Sequence, residues 1–190
     1  MKTVGVLALQ GSFREHLRQL AKLDGILPCP VKNTRDLAQV DGIILPGGES
    51  TAQGKLLRDF GLLEPLRTRI QQGLPVWGTC AGLILLAKRI TDNEPAHLGV
   101  MDITVRRNAY GGQLDSFSTN TVLPAVSPEP LPLVFIRAPW IESIGENVEP
   151  LAVQDGRIIA AKERHMIATS FHPELTDDPR FHAYFVGQIA

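Results

Sequence analysis

Short apolar runs alternate with helix-like segments through the N-terminal half, and this order constrains the fold more than any other feature. Strand-length apolar runs cover residues 4–9, 26–31, 41–45 and 75–78. Segments with helical spacing follow at residues 13–23, 50–59, 62–72 and 81–89, with Ser50 or Thr51 as the expected cap of the second. Such alternation predicts an α/β fold in which a mostly parallel sheet is covered on both faces. Because prolines interrupt the 26–31 run, we expect it at a sheet edge.

The C-terminal half has a different pattern, in which shorter strand-like runs are separated by turn signals. These runs cover residues 103–105, 133–136, 157–161 and 166–170, and a last helix is expected at 179–189. We expect the runs to be antiparallel additions to the sheet. A length of 190 residues suits one domain, 1–190, and no linker or repeat divides the chain.

Charge and cysteine content argue against several classes of function. Nineteen basic residues stand against twenty acidic ones, with no basic cluster beyond Arg106 and Arg107, so no nucleic acid partner is expected. The two cysteines, Cys29 and Cys80, have no metal-ligand spacing, and neither a metal nor a cofactor is expected. The first apolar run is too short to cross a membrane. We therefore expect a cytoplasmic protein with reduced thiols and no membrane partner.

A five-residue segment, Gly78-Thr79-Cys80-Ala81-Gly82, lies between an apolar strand and an apolar helix. It has the form of a nucleophile elbow with cysteine as the nucleophile. The glycines leave room for a sharp turn, and the following helix start favours a thiolate. A buried structural cysteine is the alternative, because short glycine patterns also occur by chance. We interpret Cys29 as a packing residue.

His172 is the best candidate for the base that a cysteine nucleophile requires. It follows the apolar run 166–171, so it is expected at a strand end, where open α/β sheets bind their ligands. Glu174 comes two positions later, so in extended chain its carboxylate can orient the imidazole. Taken alone, this segment is equally consistent with a turn. Solvated or packing roles are expected for the remaining histidines: His16, His97, His165 and His182.

Backbone groups near two turns are candidates for an oxyanion hole. Attack on an amide carbonyl creates an oxyanion, which the backbone N–H of Ala81 can bind. A second donor is expected at the turn formed by Gly47 and Gly48, because glycine lets backbone approach a ligand. For this turn considered alone, a tight reversal of the chain is the simpler interpretation.

Charged residues provide candidates for holding an amino acid substrate. Glu49 follows the glycine turn and is a candidate for binding an α-ammonium group. Arg107 and Arg137 are candidates for binding the α-carboxylate. Arg137 follows an apolar run at a strand end, where a charge needs a partner or a ligand. Exposure to solvent is the ordinary alternative for both arginines.

Together these residues resemble the class I glutamine amidotransferases, which use a Cys-His-Glu triad. Five collinear segments narrow the resemblance to the glutaminase subunits of pyridoxal 5′-phosphate synthase. The segments are residues 7–11, 45–51, 107–111, 135–139 and 170–175. They extend over essentially the whole chain.

The resemblance implies a flavodoxin-like, doubly wound fold and L-glutamine as substrate. Cys80 would form a thioester, with His172 and Glu174 completing the triad. Ammonia would pass to a synthase subunit, a (β/α)₈ barrel, in a hetero-oligomeric complex, and little activity is expected before that partner docks. Gln10 falls in the segment that responds to docking. The resemblance assigns six residues to the glutamine site: Gly47, Gly48, Glu49, Arg107, Ile136 and Arg137.

The sequence departs from the family pattern at two positions. Gly112 stands where the family usually has arginine, and Ala52 stands where a second threonine is usual. Neither position belongs to the expected triad. Gly112 puts in doubt any contact that the arginine makes with the partner or near the opening of the site.

The sequence leaves three other interpretations open. A glutaminase of another pathway, such as that of imidazole glycerol phosphate synthase, shares the triad but does not predict segments 7–11 and 135–139. A non-catalytic partner-binding domain has no need of Cys80, His172 and Glu174 together. A free-standing cysteine hydrolase would not respond to a synthase subunit.

Overall fold

The structure is a computed structural model that describes residues 1–107 and 116–190. Residues 108–111 of the third family segment and Gly112 lie outside the described residues. In the N-terminal half, strands and helices alternate as the sequence predicts. The strands are β1 (Lys2–Leu7), β2 (Ile26–Val31), β3 (Gly42–Leu45) and β4 (Val76–Thr79). The helices are α1 (Phe13–Leu20), α2 (Thr34–Ala38), α3 (Ser50–Asp59), α4 (Leu63–Gln71) and α5 (Ala81–Leu86).

The C-terminal half contains more strands than the sequence predicted. They are β5 (Ala87–Ile90), β6 (Met101–Arg106), β7 (Ser116–Leu123), β8 (Ser127–Ile136), β9 (Trp140–Ile144), β10 (Glu149–Gln154), β11 (Arg157–Glu163) and β12 (Met166–Thr169). Helix α6 (Arg180–Gly187) follows them.

The main sheet combines a parallel and an antiparallel part. Its strand order is β2-β1-β3-β4-β12-β11-β9-β6-β5, and β10 pairs with β11. The strands from β2 to β12 in this order are parallel, whereas β12–β11, β11–β9 and β9–β6 are antiparallel pairs. The parallel part has the strand order of flavodoxin-like folds. The predicted fold class is confirmed, and β2 lies at the sheet edge as expected.

Two predicted strands have other partners than expected. The 166–170 run forms β12, which pairs antiparallel with β11 as expected and in addition pairs in parallel with β4. All four of its residues are buried, as is usual for a strand inside a parallel sheet. The 133–136 run is the end of β8, which pairs with β7 in a separate two-stranded sheet and is not part of the main sheet.

Several helix boundaries also differ from the prediction, and α1, for example, ends at Leu20 instead of residue 23. Helix α5 ends at Leu86 instead of residue 89, because the chain continues as the short strand β5. Helix α3 is capped by Glu49, whose carboxylate accepts hydrogen bonds from the backbone N–H groups of Thr51 and Ala52 at 3.2 and 2.7 Å. The cap is therefore neither Ser50 nor Thr51, since a carboxylate one residue earlier satisfies the free N–H groups.

Both faces of the parallel sheet are buried in hydrophobic clusters. Along β4, Val76 belongs to the cluster on one face and Trp77 to the cluster on the other, as the two-residue period of a strand requires. Burial of each such side chain contributes about 1.5–3 kcal/mol. Within the described ranges, no helix is long and apolar enough to span a membrane.

Candidate active site

The carboxyl ends of β1, β3, β4 and β12 meet at a cavity of about 580 Å³. Open parallel sheets bind their ligands at this edge. The structure brings ten of the eleven sequence-predicted site residues to the cavity wall: Gln10, Gly47, Gly48, Glu49, Cys80, Ala81, Arg107, Ile136, Arg137 and His172. The remaining one, Glu174, is bound to His172 behind the wall.

Cys80 lies on a sharp turn between β4 and α5, with φ 50° and ψ −101°. Non-glycine residues seldom adopt a positive φ, and such strain is concentrated at functional sites. The turn depends on Gly78 and Gly82. A Cβ atom on Gly78 would lie 2.4 Å from the carbonyl oxygen of Gly82, and one on Gly82 would lie 2.0 Å from that of Leu45. The two glycines therefore allow the elbow to pack against β3.

The Cys80 side chain faces the base and is nearly buried, with 8% of its surface exposed. Its thiol interacts with His172, whose pKa it helps to raise. The carbonyl oxygen of Ile136 lies 4.0 Å from the sulfur on the other side. The backbone N–H of Cys80 donates to Thr169 at 2.8 Å, which fixes the elbow to β12. Cys80 and His172 are thus held together by the pairing of β4 with β12.

His172 is oriented from two directions. Its Nδ1 lies 2.7 Å from Oε1 of Glu174, and its backbone N–H donates to the carbonyl of Val134 at 2.8 Å. Burial acts to lower the pKa of His172, but the hydrogen bonds to Cys80 and Glu174 and the charges of both partners raise it to about 10. The imidazole is therefore protonated at neutral pH and faces the sulfur as a cation.

Glu174 is almost fully enclosed, and its carboxylate stays ionised. Burial acts to raise its pKa, but His16, His172 and a hydrogen bond from Ser12 lower it to about 2. The Ser12 hydroxyl donates to Oε1 at 2.7 Å, the same oxygen that binds His172. Sequence reasoning did not select Ser12, because a single serine before a helix has no distinguishing pattern and lies 162 residues away in the chain.

The glycine turn after β3 packs against the base and the β1–α1 loop. A Cβ atom on Gly47 would lie 2.3 Å from Cε1 of His172, and one on Gly48 would lie 2.4 Å from Oε1 of Gln10. The Gly47 carbonyl accepts a hydrogen bond from the backbone N–H of Ser12 at 3.0 Å. Ala81 is the first residue of α5, where the N–H has no partner within the helix. At positions 47 and 48, only glycine allows the backbone to approach His172 and Gln10 this closely.

Gln10 links the loops that follow β1 and β3. Its side-chain carbonyl accepts from the backbone N–H of Glu49 at 3.0 Å. Its backbone carbonyl accepts from the Gln53 side chain at 3.1 Å, and the same amide group donates to Pro46. The position of Gln10 is therefore coupled to the turn that carries Gly48 and Glu49.

Glu49 and Arg107 are paired with each other at the cavity. The guanidinium of Arg107 lies 3.1 Å from Glu49 and 2.6 Å from Glu94. Burial acts to raise the pKa of Glu49, but the backbone N–H groups of Ala52 and Thr51, together with Arg107, hold it below its ordinary value. Arg107 is neutralised by two carboxylates, so its charge is only partly available to an anionic ligand.

Arg137 differs from Arg107 in being exposed and in having no ion-pair partner among the described residues. It follows β8 with φ 41°, and no carboxylate in residues 1–107 or 116–190 forms an ion pair with it. Neighbouring Ile136 is 37% exposed at the cavity mouth. Of the two candidate arginines, Arg137 is the more available to a substrate carboxylate.

A cysteine on a strained elbow, a buried His–Glu pair and candidate oxyanion donors at one cavity form the arrangement expected of a cysteine-dependent amide hydrolase. Comparison with known proteins narrows this class. The profile of the SNO glutamine amidotransferase family matches residues 6–190, and the chain belongs to that family. The resemblance inferred from the sequence is thereby confirmed.

Curated relatives match along their full length. A protein of Ruminiclostridium cellulolyticum named pyridoxal 5′-phosphate synthase subunit PdxT is 53% identical, with 100% of both chains covered. A protein of Clostridium botulinum with the same name is 55% identical, over 100% of this chain and 98% of the relative.

Solved structures agree with this family membership. A crystal structure of a glutamine amidotransferase superposes with a TM-score of 0.92 at 44% identity, covering 98% of each chain. The structure of PurLQS from Thermotoga maritima superposes with a TM-score of 0.71 at 15% identity, covering 100% of each chain, which shows a shared fold alone.

Proposed function

We propose that this chain hydrolyses L-glutamine to L-glutamate and ammonia and delivers the ammonia to a pyridoxal 5′-phosphate synthase subunit. The observation that carries the proposal is that Cys80 and His172 line the same cavity and that His172 is hydrogen bonded to buried Glu174. This is the nucleophile, base and orienting carboxylate that amide hydrolysis requires. Residues 1–190 act as one glutaminase domain.

The first half of the reaction transfers the glutamyl group to Cys80. The thiolate attacks the side-chain amide carbon, and the carbonyl oxygen becomes an oxyanion within reach of the Ala81 N–H and the turn at Gly47 and Gly48. The His172 imidazolium gives its proton to the leaving nitrogen. The C–N bond breaks, ammonia departs, and a thioester joins the substrate to Cys80.

The second half hydrolyses the thioester. Neutral His172 takes a proton from water, and the hydroxide attacks the thioester carbon. The C–S bond breaks, glutamic acid leaves and releases its proton to solvent, and the thiolate–imidazolium pair of Cys80 and His172 is restored. Throughout, Glu174 stays ionised and keeps the imidazole in one tautomer.

The charged groups at the cavity fit the two ends of an amino acid. Glu49 can accept an α-ammonium group because a carboxylate has more acceptor sites than its helix-cap bonds use. Arg137 is the candidate partner for the α-carboxylate. Arg107 supports Glu49 and completes the wall on that side. The remaining members of the proposed substrate site are Gly47, Gly48 and Ile136.

The identity of the partner rests on the relatives, which carry the name of a pyridoxal 5′-phosphate synthase subunit. We propose a hetero-oligomeric complex in the cytoplasm with a synthase subunit that is a (β/α)₈ barrel. Gln10 is proposed to transmit docking of that subunit, because it is hydrogen bonded to the backbone N–H of Glu49 next to the proposed anion hole.

Glutamate release tests the proposal. The purified chain is assayed with glutamine, alone and with the synthase subunit from the same source, and the Cys80→Ala variant is the control. We expect activity that rises with the partner and is absent from the variant. Strong activity without a partner would indicate an independent hydrolase. Absence of activity in a confirmed complex would indicate a non-catalytic binding domain.

A further inference from the structure

Two buried histidines lie behind the candidate triad, on the side away from the cavity. His16 on α1 and His182 on α6 are both 0% exposed. Nδ1 of His16 lies 2.9 Å from Nε2 of His182. Nε2 of His16 lies 3.2 Å from the Thr79 hydroxyl and 3.4 Å from Oε2 of Glu174. A continuous row of polar groups therefore runs from His182 through His16 to the carboxylate.

Within the part of the chain that the structure describes, the second carboxylate oxygen of Glu174, Oε2, lacks a hydrogen-bond donor, which His16 can provide. Oε1 is bound by both Ser12 and His172, whereas Oε2 is buried without a hydrogen bond among the described residues. A buried ionised carboxylate oxygen without a donor is costly. The imidazole nitrogen of His16 faces this oxygen, and a small inward movement would give a charge-assisted hydrogen bond.

The contacts of the two histidines select one arrangement of protons. If Nε2 of His16 carries hydrogen, it is shared between Thr79 and Glu174, and Nδ1 must accept from His182. His182 then carries hydrogen on Nε2, so its Nδ1 is an acceptor. Nδ1 of His182 has no partner among the described residues, and an unpaired acceptor at that position avoids burying an unpaired N–H. The opposite arrangement turns a lone pair of His16 toward the carboxylate.

We propose that His16 and His182 are positioning residues of the triad, in which His16 donates from Nε2 to Oε2 of Glu174 and His182 fixes that tautomer by donating to His16. Neither histidine touches the substrate or transfers a proton. Their effect is to hold the carboxylate so that its other oxygen stays aligned with His172. The inference rests on the proposed catalytic role of Cys80, His172 and Glu174.

The electrostatic surroundings keep both rings neutral. Burial is the largest effect on His16 and lowers its pKa, and His172 lowers it further. Glu174 and Glu15 act to raise the pKa, but the net shift is downward. Burial also lowers the pKa of His182 well below its ordinary value; His16 and Lys22 lower it further, and Glu174 acts to raise it. A neutral His16 can donate from only one nitrogen, so the proton arrangement decides whether it supports Glu174.

Packing fixes the two rings in place. Trp77 contacts His16 and His182 edge to face, with ring centroids 5.4 and 5.0 Å apart. The indole N–H donates to the Thr169 hydroxyl at 3.0 Å, which ties this residue of β4 to β12. A role in packing alone is the competing explanation, and it predicts that an apolar side chain of similar size would serve equally well.

The tautomers can be observed directly in the wild-type chain by nitrogen-15 NMR of its histidine rings near neutral pH. We expect His16 and His182 each to be neutral with hydrogen on Nε2. A His16 ring with hydrogen on Nδ1 would overturn the proposal, because its lone pair would then face Glu174. This measurement does not depend on a variant that must fold.

Substitutions test the effect on catalysis in the complex with the synthase subunit. His16→Leu removes the donor and keeps an apolar side chain, whereas His16→Gln keeps an N–H donor. We expect kcat of the leucine variant to fall about tenfold or more, as when an oriented histidine loses its outer hydrogen-bond partner. KM should change little. The glutamine variant should recover part of the lost kcat. His165→Leu is the matched control, because His165 bonds to the Ile70 carbonyl near the amino end of β4.

A second readout follows the Cys80 thiolate without using turnover. In a Cys29→Ser background, the rate of Cys80 alkylation by iodoacetamide is measured against pH. His16→Leu should shift the midpoint upward, because a misaligned Glu174 supports the His172 cation less well, and His165→Leu should not. Equal kcat and midpoint in the leucine, glutamine and wild-type chains would refute the positioning role. Wild-type activity that persists in Cys80→Ala would instead refute the proposed function.

Discussion

Nδ1 of His172 and Oε1 of Glu174 lie 2.7 Å apart, and the side chains are 8% and 0% exposed. Pro173 separates the two residues in the chain, and both belong to the loop that follows β12. The pair is therefore positioned by one short segment instead of by two distant elements. Its charges are shielded from water, so its protonation is coupled to folding.

This coupling predicts how stability varies with pH. The raised pKa of His172 contributes stability that is complete below its ordinary value of 6.5 and is lost as the pH rises toward 10. The lowered pKa of Glu174 contributes stability that is complete above its ordinary value of 4.5 and is lost as the pH falls toward 2. The difference in Tm between wild type and Glu174→Gln should be largest between pH 4.5 and 6.5.

Thermal unfolding at a series of pH values measures that difference. Glu64→Gln is the control, because Glu64 forms an exposed ion pair with Arg67 and should give only a small change in Tm. A Tm difference for Glu174→Gln that stays constant from pH 3 to pH 9 would contradict the assigned charges.

Because the elbow is tightly packed, one added methyl group should strongly reduce the stability of the fold. Gly82→Ala would place Cβ 2.0 Å from the Leu45 carbonyl oxygen, and backbone atoms cannot move away without separating α5 from β3. We expect a loss of about 3 kcal/mol in the free energy of unfolding, the upper range for overpacking. Urea denaturation measures this loss.

Gly187→Ala is the matched control for Gly82→Ala. Gly187 is the last residue of α6, and an added Cβ would meet nothing within 4 Å. Alanine there should be neutral or stabilise by up to about 1 kcal/mol. Equal free energies of unfolding for the two variants would show that the elbow is not packed as described.

Much of the fold could be predicted from the sequence because its signals are local. The 41–45 and 75–78 runs are apolar enough to identify β3 and β4, and the glycines around Cys80 identify the elbow. The pairing of β12 with β4 could not be predicted, because the turn before residue 166 indicates only the hairpin with β11, which does form, whereas a parallel partner far away in the chain leaves no local signal. Strands β7 and β10 were missed, because they carry many polar or exposed residues.

The candidate site shows the same division between local and distant signals. His172 and Glu174 are close in sequence, so their spacing indicates a pair. Ser12 and His16 reach Glu174 only through the folding of α1 against the β12 loop, and no sequence pattern links them. The expectation that His16 and His182 are solvated or packing residues did not anticipate their contact with each other and with the carboxylate.

The two arginines of the cavity should contribute unequally to substrate binding. Arg137→Gln removes an exposed charge at the cavity, so we expect KM for glutamine to rise about 10- to 100-fold, the range for a lost charged hydrogen bond. Arg107→Gln should raise KM less, because Arg107 is already paired with Glu49 and Glu94. Steady-state glutaminase assays of the complex measure both values.

Two controls accompany the arginine variants. Arg137→Lys keeps the charge and should recover part of the affinity, although lysine lacks the planar fork of arginine. Arg18→Gln lies on the exposed side of α1 and should leave KM unchanged. A larger effect of Arg107→Gln than of Arg137→Gln would reverse the assignment of the carboxylate partner.

The central claim is that Cys80 forms a covalent bond with the substrate, and trapping that bond tests it most directly. The complex with the synthase subunit is mixed with glutamine, quenched in acid during turnover, digested and analysed by mass spectrometry. We predict a glutamyl group on the peptide that contains Cys80 and none on the peptide that contains Cys29. Steady glutamate release without a glutamyl adduct on Cys80, or with the adduct on another residue, would contradict the account.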